Sequence, residues 1–427
     1  MFLPCAGGFL GPLSERCTNT GNYLQRRAEI FLSPGGLSRV ERALPYRMQA
    51  VAEPATTENS GALRPAALQS HLPSLDGMRA ISILLVLLLH THNTYVDNPV
   101  QESPYLEYLG HLGVFVFFVI SGLLITWLMI RERDSTGAFS LRNFYIRRFL
   151  RILPVFWLLI LTVSVLKITH VISIEWLDIL RALTFTHNYP LTLSRPEDYA
   201  VWLAHTWSLS LEEQFYLVWP GLFALLPKKL SPRLAIILAV SGPILRTANY
   251  FLLPSLRGLD TFGFESRIDI LMAGCAAAFL LDSPAWCDRI RKIPAYPTLA
   301  ATSTILLIAD PILIGHFRPH SIPAVIVSLF VPTMEAVAIA LTLLVVVAGK
   351  PGLPFKLLNA RVPTHIGKLS YSLYIWQQLF LPQDIAASIF SLLCRLAAAY
   401  LVALFSFRFI ERPLLKLRSR FRQGVAV

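Results

Sequence analysis

The stretch RAISILLVLLLH, from Arg79 to His90, decides the fold, because ten apolar or small residues lie between an arginine and a histidine. Such a run is typical of a membrane-spanning helix, although its two end residues are not. Eleven residues at about 100° each come close to three full turns, so we expect both side chains on one helix face. The rise per residue separates them by roughly 16 Å along the axis.

The composition of the whole chain also indicates a membrane protein. Of its 427 residues 54% are hydrophobic and only 15% are charged, and the apolar residues come in runs long enough to cross a bilayer. The net charge of +12 does not indicate nucleic-acid binding, because Lys and Arg collect in short loops between the apolar runs. The five cysteines form no CxxC motif, so neither a disulfide framework nor a metal site is predicted.

Ten apolar segments are interpreted as spans, and the loop charges support this count. The segments lie near 79–96, 112–130, 152–168, 208–226, 233–252, 266–282, 297–315, 322–348, 368–382 and 386–409. With the N-terminus inside, the strongly basic connections all fall on the cytoplasmic side, as the positive-inside rule requires. The sequence therefore predicts an all-α, polytopic transmembrane helix bundle of about ten spans with both termini in the cytoplasm.

The segments outside these spans have a different character. Residues 1–72 mix Gly, Pro, Ser and Arg without periodicity, and two interpretations stay open: a disordered cytoplasmic tail, or an over-long start with Met48 as the true one. Residues 73–415 form the predicted membrane domain, and 416–427 form a basic cytoplasmic tail. The apolar spacing within 174–185 predicts an interfacial helix rather than an eleventh span.

His90 and Arg79 are the first candidate site residues. An ionisable side chain inside a span is costly and usually lines a cavity or a pathway, so a functional role is favoured for His90. Histidine is also the natural proton acceptor near neutral pH. For Arg79 two interpretations stay open, because an arginine at a helix end can also snorkel to lipid phosphates.

The stretch RRFLRILP, at 147–154, brings three arginines to the start of the third span. Arg148 and Arg151 are three residues apart and are therefore neighbours on a helix face. Ordinary positive-inside charge explains most such loops, but arginine also suits bidentate binding of a phosphate. We therefore treat Arg147, Arg148 and Arg151 as candidates for binding a phosphate-bearing cofactor.

The stretch HTWSLSLEEQFYLVWP, at 205–220, is a third candidate region. Ser210 and Glu213 match the S-x-x-E capping box, which would make them the start of a helix. Capping does not explain the other polar and aromatic residues at this mouth, which are His205, Trp207, Ser208 and Glu212. We expect either Glu212 or Glu213 to orient or charge-balance a histidine across the bundle.

Charged residues also occur at the outer ends of the fifth and sixth spans. These are Arg246, Glu265, Arg267 and Asp269. They either form ion pairs that fix helix packing or line a polar funnel that binds a hydroxyl-rich ligand, and the sequence leaves both open. By contrast, Ser121-Gly122 in GVFVFFVISGLLI is predicted to serve close helix packing.

Together these stretches resemble the acyltransferase 3 family of bacterial membrane acyltransferases, over about residues 72–415. The motifs that carry the resemblance are LDGMRA with Arg79 and His90, GVFVFFVISGLLI, RRFLRILP, HTWSLSLEEQFYLVWP, RIDILMAG, LSYSLYIW and FIERP. The resemblance implies an enzyme of class 2.3.1 in the inner (cytoplasmic) membrane. It would use cytoplasmic acyl-CoA, often acetyl-CoA, to acylate a hydroxyl on a glycan or a lipid-linked glycan, with no permanently bound cofactor.

The resemblance also assigns roles to matching positions. It makes Arg79 and His90 the essential pair and Arg148 and Arg151 the cytoplasmic Arg-x-x-R, and it includes the mouth at 205–220. The chain departs from the family where Gln377 and Gln378 follow Trp376, since members frequently have a histidine there. A neutral amide hydrogen-bonds but does not take up a proton, so we assign no proton transfer to it. The C-terminal SGNH hydrolase-like domain of some members is not expected.

Two other classes of protein share part of this pattern. A proton-coupled transporter of a glycan or lipid would also carry intramembrane His, Arg and acidic residues. The sequence has no internal repeat that would favour transport, and the arginines before the third span favour a CoA-type ligand. A degenerate family member that acts as a binding or assembly partner is the third interpretation, for which Gln377 is the only indication.

Overall fold

The computed structural model describes residues 73–94, 104–189, 201–252, 262–316, 322–349, 352–381, 388–418 and 421. The interpretations given for residues 1–72, and for most of the basic tail, concern positions outside these ranges. All regular structure in the described ranges is helical, with no β-strand among them, which confirms the all-α class. The described helices belong to one compact unit, Ser60–Val427.

Fourteen α-helices follow one another along the described chain. They are α1 (Pro73–Thr94), α2 (Pro104–Thr136), α3 (Leu141–Ile168), α4 (Trp176–Leu183), α5 (Thr206–Leu225), α6 (Leu230–Leu252), α7 (Phe264–Asp282), α8 (Pro284–Lys292), α9 (Ala295–His316), α10 (Ile322–Ala348), α11 (Leu353–Leu358), α12 (Arg361–Trp376), α13 (Ile389–Ser406) and α14 (Arg412–Arg418). A 3₁₀ turn, Gln377–Leu379, extends α12, and a π-helical turn, Phe407–Glu411, joins α13 to α14.

A helix occurs at each of the ten segments that the sequence assigns as spans. Among the described residues, six helices are long and apolar enough to cross a bilayer, and α7 with α8, bent by 99°, would make a seventh. The chain is thus a multi-pass membrane protein. Helix α12 has 16 residues and extends about 24 Å, less than the roughly 30 Å of a bilayer core. The count of ten and the side of each terminus stay predictions.

Helix α2 is central to the bundle and packs against α1, α5, α7, α9 and α10. A helix that is apolar on all sides is buried, and α2 follows this rule, since Val119 and Leu123 are fully buried. Helices α3, α6 and α13 instead expose large apolar side chains, including Leu161, Ile237 and Leu401. This is the pattern expected for helices that face lipid.

The predicted packing role of Gly122 is confirmed at the contact of α2 with α7. A Cβ atom on Gly122 would overlap the backbone carbonyl oxygen of Leu271, and one on Gly274 would overlap that of Val119. Backbone atoms cannot move aside as a flexible side chain can. The close approach of α2 and α7 therefore requires glycine at both positions.

Replacing Gly122 with alanine should therefore lower the free energy of unfolding by about 2–3 kcal/mol, since α2 and α7 must move apart. The thermal unfolding midpoint of the purified protein in detergent measures this. The matched control is Gly221→Ala in α5, where a new Cβ meets no atom within 4 Å. That change should leave the midpoint unchanged or raise it, because alanine favours helix by up to about 1 kcal/mol. Equal midpoints for the two variants would contradict the packing role.

Helix α4 occupies the segment for which the sequence predicts an interfacial helix. It has eight residues and a length of about 12 Å, too short to cross a bilayer. Its large apolar side chains, Trp176, Leu177 and Leu180, are about half exposed, whereas Asp178 and Arg181 form a buried ion pair at 3.3 Å. The apolar face thus points away from the bundle, as for a helix lying on a membrane surface.

The capping-box interpretation of Ser210 and Glu213 is wrong. Helix α5 already begins at Thr206, with His205 in the N-cap position, and Ser210 lies inside the helix. Its hydroxyl donates to the carbonyl oxygen of Thr206 at 2.9 Å instead of capping a free backbone N–H. Apolar residues on both sides of Ser210 pack in the core and extend the helix toward its N-terminus, which the motif does not reveal.

Candidate active site

Arg79 and His90 lie on one uninterrupted helix, α1, as the spacing predicts. Arg79 donates to the Asp76 carboxylate at 3.1 Å, one turn back along the helix. The Nδ1 atom of His90 lies 3.0 Å from the side-chain oxygen of Gln377, at the C-terminal end of α12. The His90 contact thus joins α1 to the C-terminal end of α12.

A cavity with about 740 Å³ of space not filled by atoms, its open mouth included, lies between α1, α2, α3, α5 and α12. Its polar lining consists of Arg79, Ser121, Arg148, Arg151, Ser208, Glu212, Tyr216, Ser370, Tyr371 and Tyr374. The structure thus joins residues from the first span, the Arg-x-x-R stretch and the 205–220 mouth around one space.

The charge of this lining is mainly positive, with three arginines and one carboxylate. Arg148 and Arg151 project from the same face of α3, and the Arg148 guanidinium lies 4.7 Å from the centre of the Tyr216 ring. Clustered guanidinium groups in a low-dielectric space favour an anionic ligand, because arginine forms strong bidentate hydrogen bonds to phosphate or carboxylate. The cavity is therefore suited chemically to a phosphate-bearing molecule.

Glu212 is the carboxylate of the cavity, and it is held in place by two hydroxyl groups. Ser121 donates to Glu212 Oε1 at 2.9 Å, and Tyr216 donates to Oε2 at 3.2 Å. Glu213 is not among the lining residues, and its Oε1 atom is buried without a hydrogen-bond partner in the described part of the chain. Of the two glutamates that the sequence could not separate, only Glu212 faces the cavity.

Ser208 and Tyr374 line the cavity and connect it to His205. Their hydroxyl oxygens are 2.5 Å apart, and Tyr374 also donates to the backbone oxygen of His205 at 2.9 Å. The His205 ring is fully buried and meets Tyr374 edge to face, with ring centres 5.4 Å apart. Trp207 packs instead against Phe118 and does not line the cavity.

His90 is not one of the residues that line the cavity. His205 and His111 are both within electrostatic range of it. The candidate residues therefore form two adjoining groups: an arginine-rich cavity that contains Glu212, and a histidine group around His90.

Arg147 points away from the cavity, although it adjoins Arg148 in sequence. Its guanidinium lies 2.6 Å from the Glu132 carboxylate and donates to the backbone oxygen of Phe421 at 2.8 Å. It therefore joins α2 to the segment after α14, and its predicted phosphate contact has no support from its position.

Arg246 and Asp269 form a bidentate ion pair between α6 and α7, with distances of 3.1 and 3.0 Å. Arg246 also donates to the backbone oxygens of Leu329 and Ser266, at 2.8 and 2.6 Å. Both side chains are buried, so of the two interpretations the packing one describes this pair. Arg267 lies over the Phe115 ring, 4.9 Å from its centre, and is also outside the cavity lining.

Several residues of the site are not predicted from the sequence. Ser121 belongs to a stretch that predicts helix packing, and no motif singles out Tyr216, Tyr371 or Tyr374, yet all four line the cavity. The motif LSYSLYIW contains the missing signal, because Tyr374 is four residues after Ser370 and three after Tyr371, which makes it a neighbour of both on the helix, and all three line the cavity.

His187 lies between α4 and α5, outside the predicted spans, and is buried against the start of α5. Its Nδ1 atom is 2.6 Å from the hydroxyl of Thr206. Burial, with a smaller contribution from the nearby Arg181 charge, lowers the pKa of His187 from 6.5 to about 4. The folded protein thus keeps this histidine neutral at a pH where the unfolded chain protonates it.

This difference predicts acid sensitivity. Neutral, buried His187 makes its full contribution to the free energy of unfolding above pH 6.5. This contribution is lost as the pH falls toward about 4, because the unfolded chain takes up a proton that the folded protein does not. At about pH 5 the loss should amount to about 2 kcal/mol, and His187→Gln should remove it. Unfolding midpoints of both proteins at about pH 7.5 and about pH 5 test this. An equal drop in the two proteins would contradict the prediction.

Several bacterial proteins named as O-acetyltransferases or putative O-acetyltransferases are similar in sequence to this chain. The peptidoglycan O-acetyltransferase OatA of Listeria monocytogenes is 25% identical over 82% of this chain and 56% of its own length. The O-acetyltransferase OatA of Staphylococcus aureus strain NCTC 8325 is 29% identical over 81% of this chain and 57% of its own. A putative O-acetyltransferase of S. aureus strain COL is 28% identical, with shares of 81% and 58%. No solved structure matches.

The chain thus spans less than two thirds of the length of these relatives. The family model of the acyltransferase domain matches residues 72–405, which include every helix that lines the cavity. The chain belongs to the acyltransferase 3 family.

Proposed function

We propose that this protein is a membrane O-acyltransferase that moves an acyl group, most simply acetyl, from acyl-CoA to a hydroxyl of a glycan or lipid-linked glycan. The observation that carries the proposal is the cavity in which Arg79, Arg148 and Arg151 surround a space that Glu212 also faces. The family and its O-acetyltransferase relatives support the reaction class.

The donor follows from the charge of the cavity. CoA carries several phosphate groups at one end and a thioester at the other, joined by a long, flexible arm. Arg148 and Arg151 would bind the phosphates, together with Arg79 at the start of α1. Glu212 accepts hydrogen bonds from Ser121 and Tyr216, so in this proposal it binds amide N–H groups of the arm and balances the arginine charge.

In this proposal His90 acts in one of two ways, either as a nucleophile or as a general base. In the first, its Nε2 atom attacks the thioester carbon, the C–S bond breaks, and the acyl-imidazole then passes its acyl group to the acceptor hydroxyl. In the second, Nε2 takes the hydroxyl proton while that oxygen attacks the thioester carbon directly. In each case the C–S bond breaks, a C–O bond forms, and the proton of the acceptor hydroxyl ends on the CoA sulfur, which leaves as the thiol.

The relatives support the acceptor that we propose, and the source of the donor supports the location. The Listeria relative is a peptidoglycan O-acetyltransferase, so a glycan hydroxyl is the acceptor that we propose for this chain. The enzyme would work in the inner (cytoplasmic) membrane, with its donor side toward the cytoplasm, because acyl-CoA is made there.

One assay tests the function. Purified protein is incubated in detergent or liposomes with radiolabelled acetyl-CoA and a lipid-glycan extract, and label in the glycan fraction is counted. The expected result is label transfer that requires His90. Export of a glycan from liposomes without label transfer would instead favour a transporter, and neither activity would favour a binding partner.

A further inference from the structure

The contact between His90 and Gln377 joins the first span to the end of α12, across 287 positions of sequence. The Nδ1 and Oε1 atoms are 3.0 Å apart. Gln377 is fully buried and begins the 3₁₀ turn that follows α12. A long amide side chain is therefore held at a fixed point beside the histidine, where water does not compete for it.

This contact selects one form of the imidazole. A neutral histidine carries its single proton on either Nδ1 or Nε2, and a hydrogen bond at one nitrogen decides which. The side-chain oxygen of Gln377 has no proton to give, so it requires the proton on Nδ1. Nε2 then keeps its lone pair, which both versions of the reaction need for attack on carbon or for proton uptake.

We infer that Gln377 is a positioning residue that holds the reactive tautomer and orientation of His90. The expected effect on catalysis rests on the proposed function, whereas the contact between Gln377 and His90 does not. In this inference Gln377 acts through His90, which it contacts, and not on the reacting atoms themselves.

The neighbouring glutamine provides a matched control. Gln378 is as deeply buried as Gln377, and both of its polar side-chain atoms lack a hydrogen-bond partner in the described part of the chain. The change of glutamine to leucine alters side-chain shape and polarity equally at the two positions. Only at position 377 does it remove a contact to His90.

The kinetic test compares Gln377→Leu, Gln378→Leu and Gln377→Glu in the label-transfer assay. Gln377→Leu should lower kcat about 2- to 10-fold with an unchanged KM for acetyl-CoA, since the loss of one neutral hydrogen bond corresponds to about this range. Gln378→Leu should keep wild-type kcat. Gln377→Glu should retain most of the activity, because a carboxylate oxygen accepts the same proton from Nδ1.

Two kinetic results would overturn the inference. Equal losses in Gln377→Leu and Gln378→Leu would mean that position 377 serves packing alone. An inactive Gln377→Glu beside an active Gln378→Leu would mean that the amide N–H groups, not the oxygen, matter. If Gln377→Leu does not accumulate, the unbranched Gln377→Met replaces it.

A spectroscopic readout keeps the inference separate from the proposed function. Protein labelled with ¹⁵N-histidine is compared with labelled His90→Ala, which identifies the His90 signals among the ten histidines. The wild type should show a protonated Nδ1 and an unprotonated Nε2, and Gln377→Leu should lose this preference. A wild-type proton on Nε2 would overturn the inference, whatever the transfer assay shows.

Discussion

Replacing His90 with alanine is expected to reduce acyl transfer at least about 1,000-fold, because a general base alone contributes roughly 10²–10⁴ and a covalent carrier is indispensable. The KM for acyl-CoA should change little, since His90 is not among the residues that line the arginine-rich cavity. Initial rates of label transfer over a range of acetyl-CoA concentrations separate the two parameters.

His92 offers the control for this prediction. It lies on the same helix, two residues further on, and therefore about 200° around the axis from His90. His92→Ala should keep kcat within about twofold, because His92 lies on a different face of α1 from His90. Full activity in His90→Ala would exclude both versions of the proposed reaction, whereas equal losses in the two variants would indicate damage to α1 itself.

The sequence allowed correct predictions where the signal is local. Apolar runs predicted a helix at each of the ten segments, and the separation of Arg79 from His90 predicted two residues on one continuous helix. Helix geometry alone does not distinguish the arginines of α3, because Arg147 and Arg148 precede Arg151 by four and three residues and are both its neighbours on the helix. Only the structure shows that Arg148 and Arg151 line the cavity, whereas Arg147 reaches Glu132.

What could not be predicted depends on partners that are distant in sequence. Glu212 and Glu213 are adjacent and identical, and only the positions of Ser121 and Tyr216 show which one faces the cavity. The contact of His90 with Gln377 arises only once α12 lies beside α1. The local sequence pattern predicts which face of a helix a residue occupies. Which residues that face contacts depends on how helices distant in sequence pack together.

The arginines of the cavity lead to a second large effect, on donor binding rather than on chemistry. Replacing Arg148 or Arg151 with glutamine should raise the KM for acyl-CoA about 10- to 100-fold. This range corresponds to the roughly 1.5–3 kcal/mol of a hydrogen bond to a charged group. The double variant should be weaker still. Because the contacts are ionic, the wild-type KM should also rise with salt concentration, and less so in the variants.

Arg147→Gln is the matched control for the donor site, since it removes an arginine from the same stretch of α3. Arg147 lies against Glu132, at 2.6 Å, so its loss should leave the KM for acyl-CoA unchanged and at most lower the unfolding midpoint. Binding of acetyl-CoA, measured by calorimetry on each detergent-purified variant, checks the kinetic values. If Arg147→Gln weakened binding as much as Arg148→Gln and Arg151→Gln, general basic charge would attract the donor. That result would contradict the proposal that the cavity binds CoA.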